Sequence, residues 1–198
     1  MDSVILTGYV NVTQRDSSPI WIGNEVNAWV LEQVQPGAFE EALEQREVPI
    51  LLDHDPARQI GTTKSNFDFE ENKIGLRCLA GIVTDPYVIR KARTGALRGW
   101  SFAFKPKQTA CEPVRMSKRL IEEIGGKNIR LRRNILRMEL LDISLIDDMK
   151  TPIYPGTLIE IARDLRGKNP KGMTLDSMIS WLKTQRMIRN AEKLKIIF

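Results

Sequence analysis

Three residues spaced along the chain could together carry acyl chemistry: His54, the one histidine among 198 residues, with Ser101 and Asp142. A serine hydroxyl is a weak nucleophile until a neutral imidazole takes its proton. The imidazole in turn needs a carboxylate to hold its tautomer and support the cation that forms. Histidine is also the side chain whose ordinary pKa, about 6.5, lies nearest neutrality. With 9 serines and 25 acids present, residue types and spacing alone allow other trios. Position narrows the choice, because each of the three stands in or at the end of a stretch with strand character. The plainer reading of the first stretch is a satisfied core histidine beside two solvated aspartates.

That stretch is VPILLDHD, residues 48–55. Side chains on a strand alternate between faces, so Val48, Ile50, Leu52 and His54 are expected on one face, with Asp53 and Asp55 on the other. Neither neighbour then braces the imidazole, and its carboxylate must come from elsewhere. In LRGWSFAFKP, residues 97–106, bulky Trp100, Phe102 and Phe104 alternate with small Ser101 and Ala103. This predicts a strand with one bulky and one small face, the small one serving close packing or lining a cleft for a substrate strand. In ILRMELLDISLI, residues 135–146, Leu141, Ile143 and Leu145 are expected on one face and Asp142 and Ser144 on the other. An acid inside an apolar strand is costly unless it has a partner.

The remaining elements must position these three. Residues 4–12 read as an opening strand, with Trp21 and Trp29 expected in the core. AFEEALEQ after Pro36-Gly37 reads as a short helix whose first-turn acids suit the helix dipole. Glu71-Asn72 predicts a hairpin turn into a strand over residues 74–83. Asp85-Pro86 starts a helix that Gly95 stops. Residues 112–133 form a polar, basic connection that includes a helical pattern ending at Gly125-Gly126. Beyond Pro155, residues 158–165 and the stretch from Leu175 onward read as helical.

At this size, with 42% hydrophobic and 28% charged residues, the chain can bury a core and falls in the soluble globular class. Cys78 and Cys111 form no paired framework, the start lacks a signal-peptide pattern, and no apolar run reaches about 18 residues, so no membrane partner is indicated. The expectation is a cytoplasmic product with reduced thiols. The net charge of +5 is unevenly spread: residues 1–89 balance at −8 and residues 90–198 at +13. Such a basic second half fits docking on something acidic, or an ordinary solvated face.

The residues also carry a resemblance. PGAFEEAL at residues 36–43, VPILLDHD followed by Ile60-Gly61, LRGWSFAF at 97–104 and ELLDISLI at 139–146 match, in order, the prohead (procapsid maturation) serine proteases of tailed bacteriophages. That family is related in fold to the herpesvirus assemblins. The resemblance implies an α+β, mainly β fold: an assemblin-like barrel with peripheral helices over residues 1–155, and a helical C-terminal appendage over 156–198 that docks, dimerises or is removed. It makes Ser101 the nucleophile, His54 the general base and Asp142 the third member. The family more often has glutamate at the position of Asp142 and glycine at that of Ala103. The implied substrate is scaffold protein or a scaffold-like segment of the capsid protein, and the protease itself by autocleavage, inside the procapsid in the host cytoplasm. A homodimer is a further partner it leaves open; no metal or organic cofactor is implied, and nucleic acid is not required. The rival from another class is a non-catalytic capsid-assembly or nucleic-acid-binding protein working through its basic second half.

Overall fold

The computed structural model describes residues 2–23, 27–123, 125–126, 129–165, 177, 179, 180 and 184. In chain order these form β1 (Ser3–Val12), β2 (Ile20–Ile22), β3 (Ala28–Val34), α1 (Ala38–Gln45), β4 (Pro49–Leu52) and β5 (Asp55–Thr62). They continue with β6 (Phe67–Glu71), β7 (Gly75–Val83), α2 (Pro86–Arg93), β8 (Leu97–Pro113), α3 (Lys118–Glu123), β9 (Leu131–Asp147) and β10 (Glu160–Leu165). The class is α+β and mainly β, with short helices at the periphery, as the sequence predicts.

Two sheets enclose the core. One is antiparallel, in the order β10-β1-β7-β6. The other runs β2-β3-β9-β4-β5, with β8 also paired to β9. β9 organises this second sheet: its start lies parallel to β3, its end lies parallel to β4, and β8 follows it antiparallel along its length. Because β8 and β9 carry Ser101 and Asp142, while β4 leads directly into His54, three sequence-distant stretches meet at one end of β9.

Apolar alternation accounts for the packing. Val4, Leu6 and Val10 of β1 and Leu76 and Cys78 of β7 are buried in the same cluster as Trp100, Phe102, Ile143 and Leu145. Phe39 of α1 meets Phe102 edge-on at 5.0 Å, and Tyr154 lies 4.8 Å from the same ring. The Tyr154 hydroxyl donates to Glu32 Oε2 at 2.6 Å, and Arg133 pairs with the other oxygen of that buried carboxylate. Burial, followed by the Glu32 charge, pushes the phenol up from its ordinary value.

Local signals succeed where they are self-contained. α2 begins at Asp85, whose side chain accepts from Val88 N at 2.8 Å, and the hairpin between β6 and β7 turns at Asn72. α3 is followed by Gly125 and Gly126, both at positive φ. Three expectations are corrected. Trp21 is half exposed and Trp29 only partly buried, because β2 is an edge strand of three residues and the two rings meet across the pair at 5.7 Å. β8 runs on to Pro113 and β9 starts already at Leu131, so both ends of the polar connection are paired strand while its middle holds α3. Residues 160–165 are strand rather than helix: β1 offers unpaired N–H and C=O groups along its edge, and pairing there overrides a weak local preference. Residues 177, 179, 180 and 184 are helical; the rest of the helix expected from residue 175 lies outside the described residues.

Candidate active site

His54 does not continue the face of β4. The strand ends at Leu52, which pairs with Asp55, and the chain reverses through Asp53 and His54 at φ 56° and 61°. Two positive φ values suit the twist of a two-residue hairpin, but each costs a non-glycine residue on the order of 1 kcal/mol. The surroundings hold the turn. Asp53 N donates to Leu145 O at 2.9 Å, Asp147 N donates to Asp53 Oδ1 at 3.1 Å, and Lys150 Nζ donates to Asp53 O at 2.9 Å. His54 N donates to Ser144 Oγ at 3.2 Å. The Asp53 carboxylate therefore serves the turn, while Asp55 accepts from Ala57 N. Neither braces the imidazole, for a reason of backbone geometry and not of strand parity.

Ser101 lies on the small face of β8 as predicted, between buried Trp100 and Phe102. The strand is held from behind by the segment leading into β10: Trp100 N donates to Thr157 Oγ1, and Trp100 Nε1 donates to Leu158 O at 3.1 Å. Gly99 makes this approach feasible, since a Cβ there would stand 2.5 Å from Thr157 Cγ2.

Opposite β8, Ser101 pairs with Ser144 and Ala103 with Asp142; the register then shifts, so that Phe104 meets Leu140. The extra residue, Leu141, changes the alternation. Leu140 is buried in the core with Ile143 and Leu145, which corrects the expected face of Leu141. Asp142 and Ser144 stay on the side facing the hairpin turn.

The outcome is a continuous hydrogen-bonded line. Asp142 Oδ1 lies 2.7 Å from His54 Nδ1, and His54 Nε2 lies 2.9 Å from Ser101 Oγ. The imidazole is 34% exposed and Asp142 only 11%, so the ring is reachable while its carboxylate is shielded. All three residues singled out in the sequence are brought together. Ser144 joins them: its hydroxyl donates to Asp142 Oδ1 at 2.8 Å and lies 3.3 Å from His54 Nδ1. Its only sequence signal is shared strand parity with Asp142.

The cysteines offer no equivalent. Cys78 is fully buried, and desolvation pushes its thiol far up from the ordinary value. Cys111 lies ten residues along β8 from Ser101, about 33 Å at strand rise. The charge asymmetry is partly internal. Arg93 pairs with Asp2, Arg132 with Asp16, Arg133 with Glu32 and Arg137 with Glu41, so arginines of the basic second half bind acids of the acidic first half.

A serine, an imidazole and a carboxylate linked in this order are the groups a serine peptidase uses. The chain belongs to the caudovirus prohead serine protease family, whose model matches residues 1–169. Among solved structures it is similar to the KSHV protease, a structure determined in complex with a hexapeptide phosphonate inhibitor. That match has 13% identity and a TM-score of 0.41, and covers 93% of this chain and 77% of the other. No curated protein matches the chain. Among the described residues no helix is long and apolar enough to cross a membrane.

Proposed function

We propose that this protease hydrolyses peptide bonds through Ser101, His54 and Asp142. Ser101 Oγ attacks the scissile carbonyl carbon as His54 Nε2 takes its proton. The tetrahedral intermediate collapses to an acyl-enzyme when the imidazolium returns that proton to the leaving amine. Water then repeats the sequence: Nε2 takes its proton, the ester bond to Ser101 breaks, and Oγ is reprotonated. Asp142 keeps the proton on Nδ1 and supports the imidazolium in both halves. The observation that supports this reading is the pair of contacts on the single histidine, 2.7 Å to Asp142 and 2.9 Å to Ser101.

The substrates that fit family membership are scaffold protein or scaffold-like capsid segments within the procapsid in the host cytoplasm, together with the chain itself. The docking or autoprocessed appendage, expected from residue 156, starts after Leu165 in this reading, because Thr157 and Leu158 bind Trp100 and residues 160–165 pair with β1. A role as a non-catalytic nucleic-acid-binding module draws less support, because several of the basic residues that motivated it are engaged by acids of the first half. The test is incubation of purified full-length protein with a scaffold-derived peptide. Cleavage of the peptide, and shortening of the chain itself, should both stop in Ser101→Ala and in His54→Ala. Persistence in either variant sinks the assignment.

A further inference from the structure

We propose that Ser144 is a positioning residue that sets the tautomer and seat of His54. The inference rests on the reading of Ser101, His54 and Asp142 given above and goes beyond it. Ser144 is fully buried, so no solvent molecule replaces its hydroxyl. A serine hydroxyl has one proton to give and an oxygen that accepts, whereas a carboxylate only accepts. The Ser144 proton goes to Asp142 Oδ1 at 2.8 Å. Its oxygen then faces two groups of His54: the backbone N–H at 3.2 Å and Nδ1 at 3.3 Å.

An unprotonated Nδ1 would direct its lone pair at two oxygens, Asp142 Oδ1 at 2.7 Å and Ser144 Oγ at 3.3 Å. A protonated Nδ1 satisfies both. The proton therefore sits on Nδ1, leaving the lone pair of Nε2 for the hydroxyl of Ser101 at 2.9 Å. Because its own proton is committed to Asp142, Ser144 is barred from donating to Nδ1 and so cannot support the opposite tautomer. The same oxygen anchors the backbone of His54, which stands at φ 61° in the hairpin turn. One buried hydroxyl thus orients the acid, the turn and the ring together.

The test uses full-length protein carrying Ser144→Ala or Ser144→Cys, the latter keeping a small side chain with one hydrogen while weakening all three contacts. Because the chain has one histidine, a ¹⁵N spectrum of the imidazole reports its tautomer without ambiguity. In the native protein Nδ1 should be the protonated nitrogen. In both variants the Nε2-protonated form should gain population, and kcat on a peptide should fall about ten- to a hundred-fold with KM unchanged. That is short of the ~10⁴-fold loss when the orienting acid of such a triad is removed. Folded variants with native kcat and native tautomer would overturn the proposal. So would a fall in activity that only follows loss of folded protein, with the tautomer of the folded remainder unchanged. The tautomer needs no substrate to be read, so native protein that cleaves nothing counts against the protease assignment and leaves this measurement standing.

Discussion

Asp142 Oδ1 stands 2.7 Å from His54 Nδ1 across 88 residues of sequence, while Asp53, the residue next to His54, directs its carboxylate to the backbone N–H of Asp147. The nearer acid holds the turn and the distant one holds the ring. Bulge, hairpin and parallel pairing are all needed for that exchange of partners.

Labelling gives the most direct check on Ser101. A fluorophosphonate probe should form one adduct, located on Ser101 by mass spectrometry, and none in His54→Ala. An adduct on Ser144, or an undiminished reaction without His54, contradicts the arrangement.

Replacing the acids separates their roles. Asp142→Asn should leave the fold intact but lower kcat by about 10⁴, the loss expected when a triad acid can no longer hold the tautomer. Asp53→Asn should cost far less, because an amide oxygen still accepts from Asp147 N and asparagine tolerates a left-handed backbone. Kinetics on a peptide substrate decide between them. Equal damage from both would mean that the turn, and not the carboxylate on Nδ1, limits the reaction.

Acid should weaken the contact between the first and second halves. The Arg132 guanidinium, bound to both oxygens of Asp16, holds that carboxyl below its ordinary 3.8, against a smaller opposing effect of burial. A group with a depressed folded pKa stabilises the fold above its unfolded value and loses that contribution as pH falls through the folded value. Asp16→Asn should therefore lower Tm at neutral pH, and the gap to the native protein should close once the pH drops below the ordinary carboxylate range. Thermal unfolding across pH measures it; a gap that persists in acid would point to packing and not to the ion pair.

Two truncations bracket the C-terminal boundary. A chain ending near Pro170 keeps β10 and should cleave peptide normally, yet fail to be incorporated during capsid assembly. A chain ending at Pro155 loses β10, uncovers the edge of β1, and removes Thr157 and Leu158 from the backbone and indole N–H of Trp100, next to Ser101. It should be inactive and prone to aggregate. Peptide turnover and light scattering distinguish the two, and full activity in the shorter chain would show that β10 is dispensable to the site.

Much of the site is legible in the chain itself. A single histidine, a serine between two large aromatics and an acid inside an apolar strand carry their own physical signals: a ring that can both accept and donate a proton, alternation, and the cost of a buried charge. The capped helix α2 and the hairpin after β6 are equally local, set by residues within a few positions of one another. Three-dimensional pairing decided the rest. Asp53-His54 lacks the glycine that usually marks a two-residue hairpin, so the turn appears only once Leu145, Asp147 and Ser144 supply its partners. The bulge at Leu141 arises from the register of β8 on β9, and no period within β9 announces it. β10 is a strand because β1 presents an open edge to it. Hydrogen bonds between strands join residues far apart in sequence, and a local pattern carries no record of which edge is free to receive them.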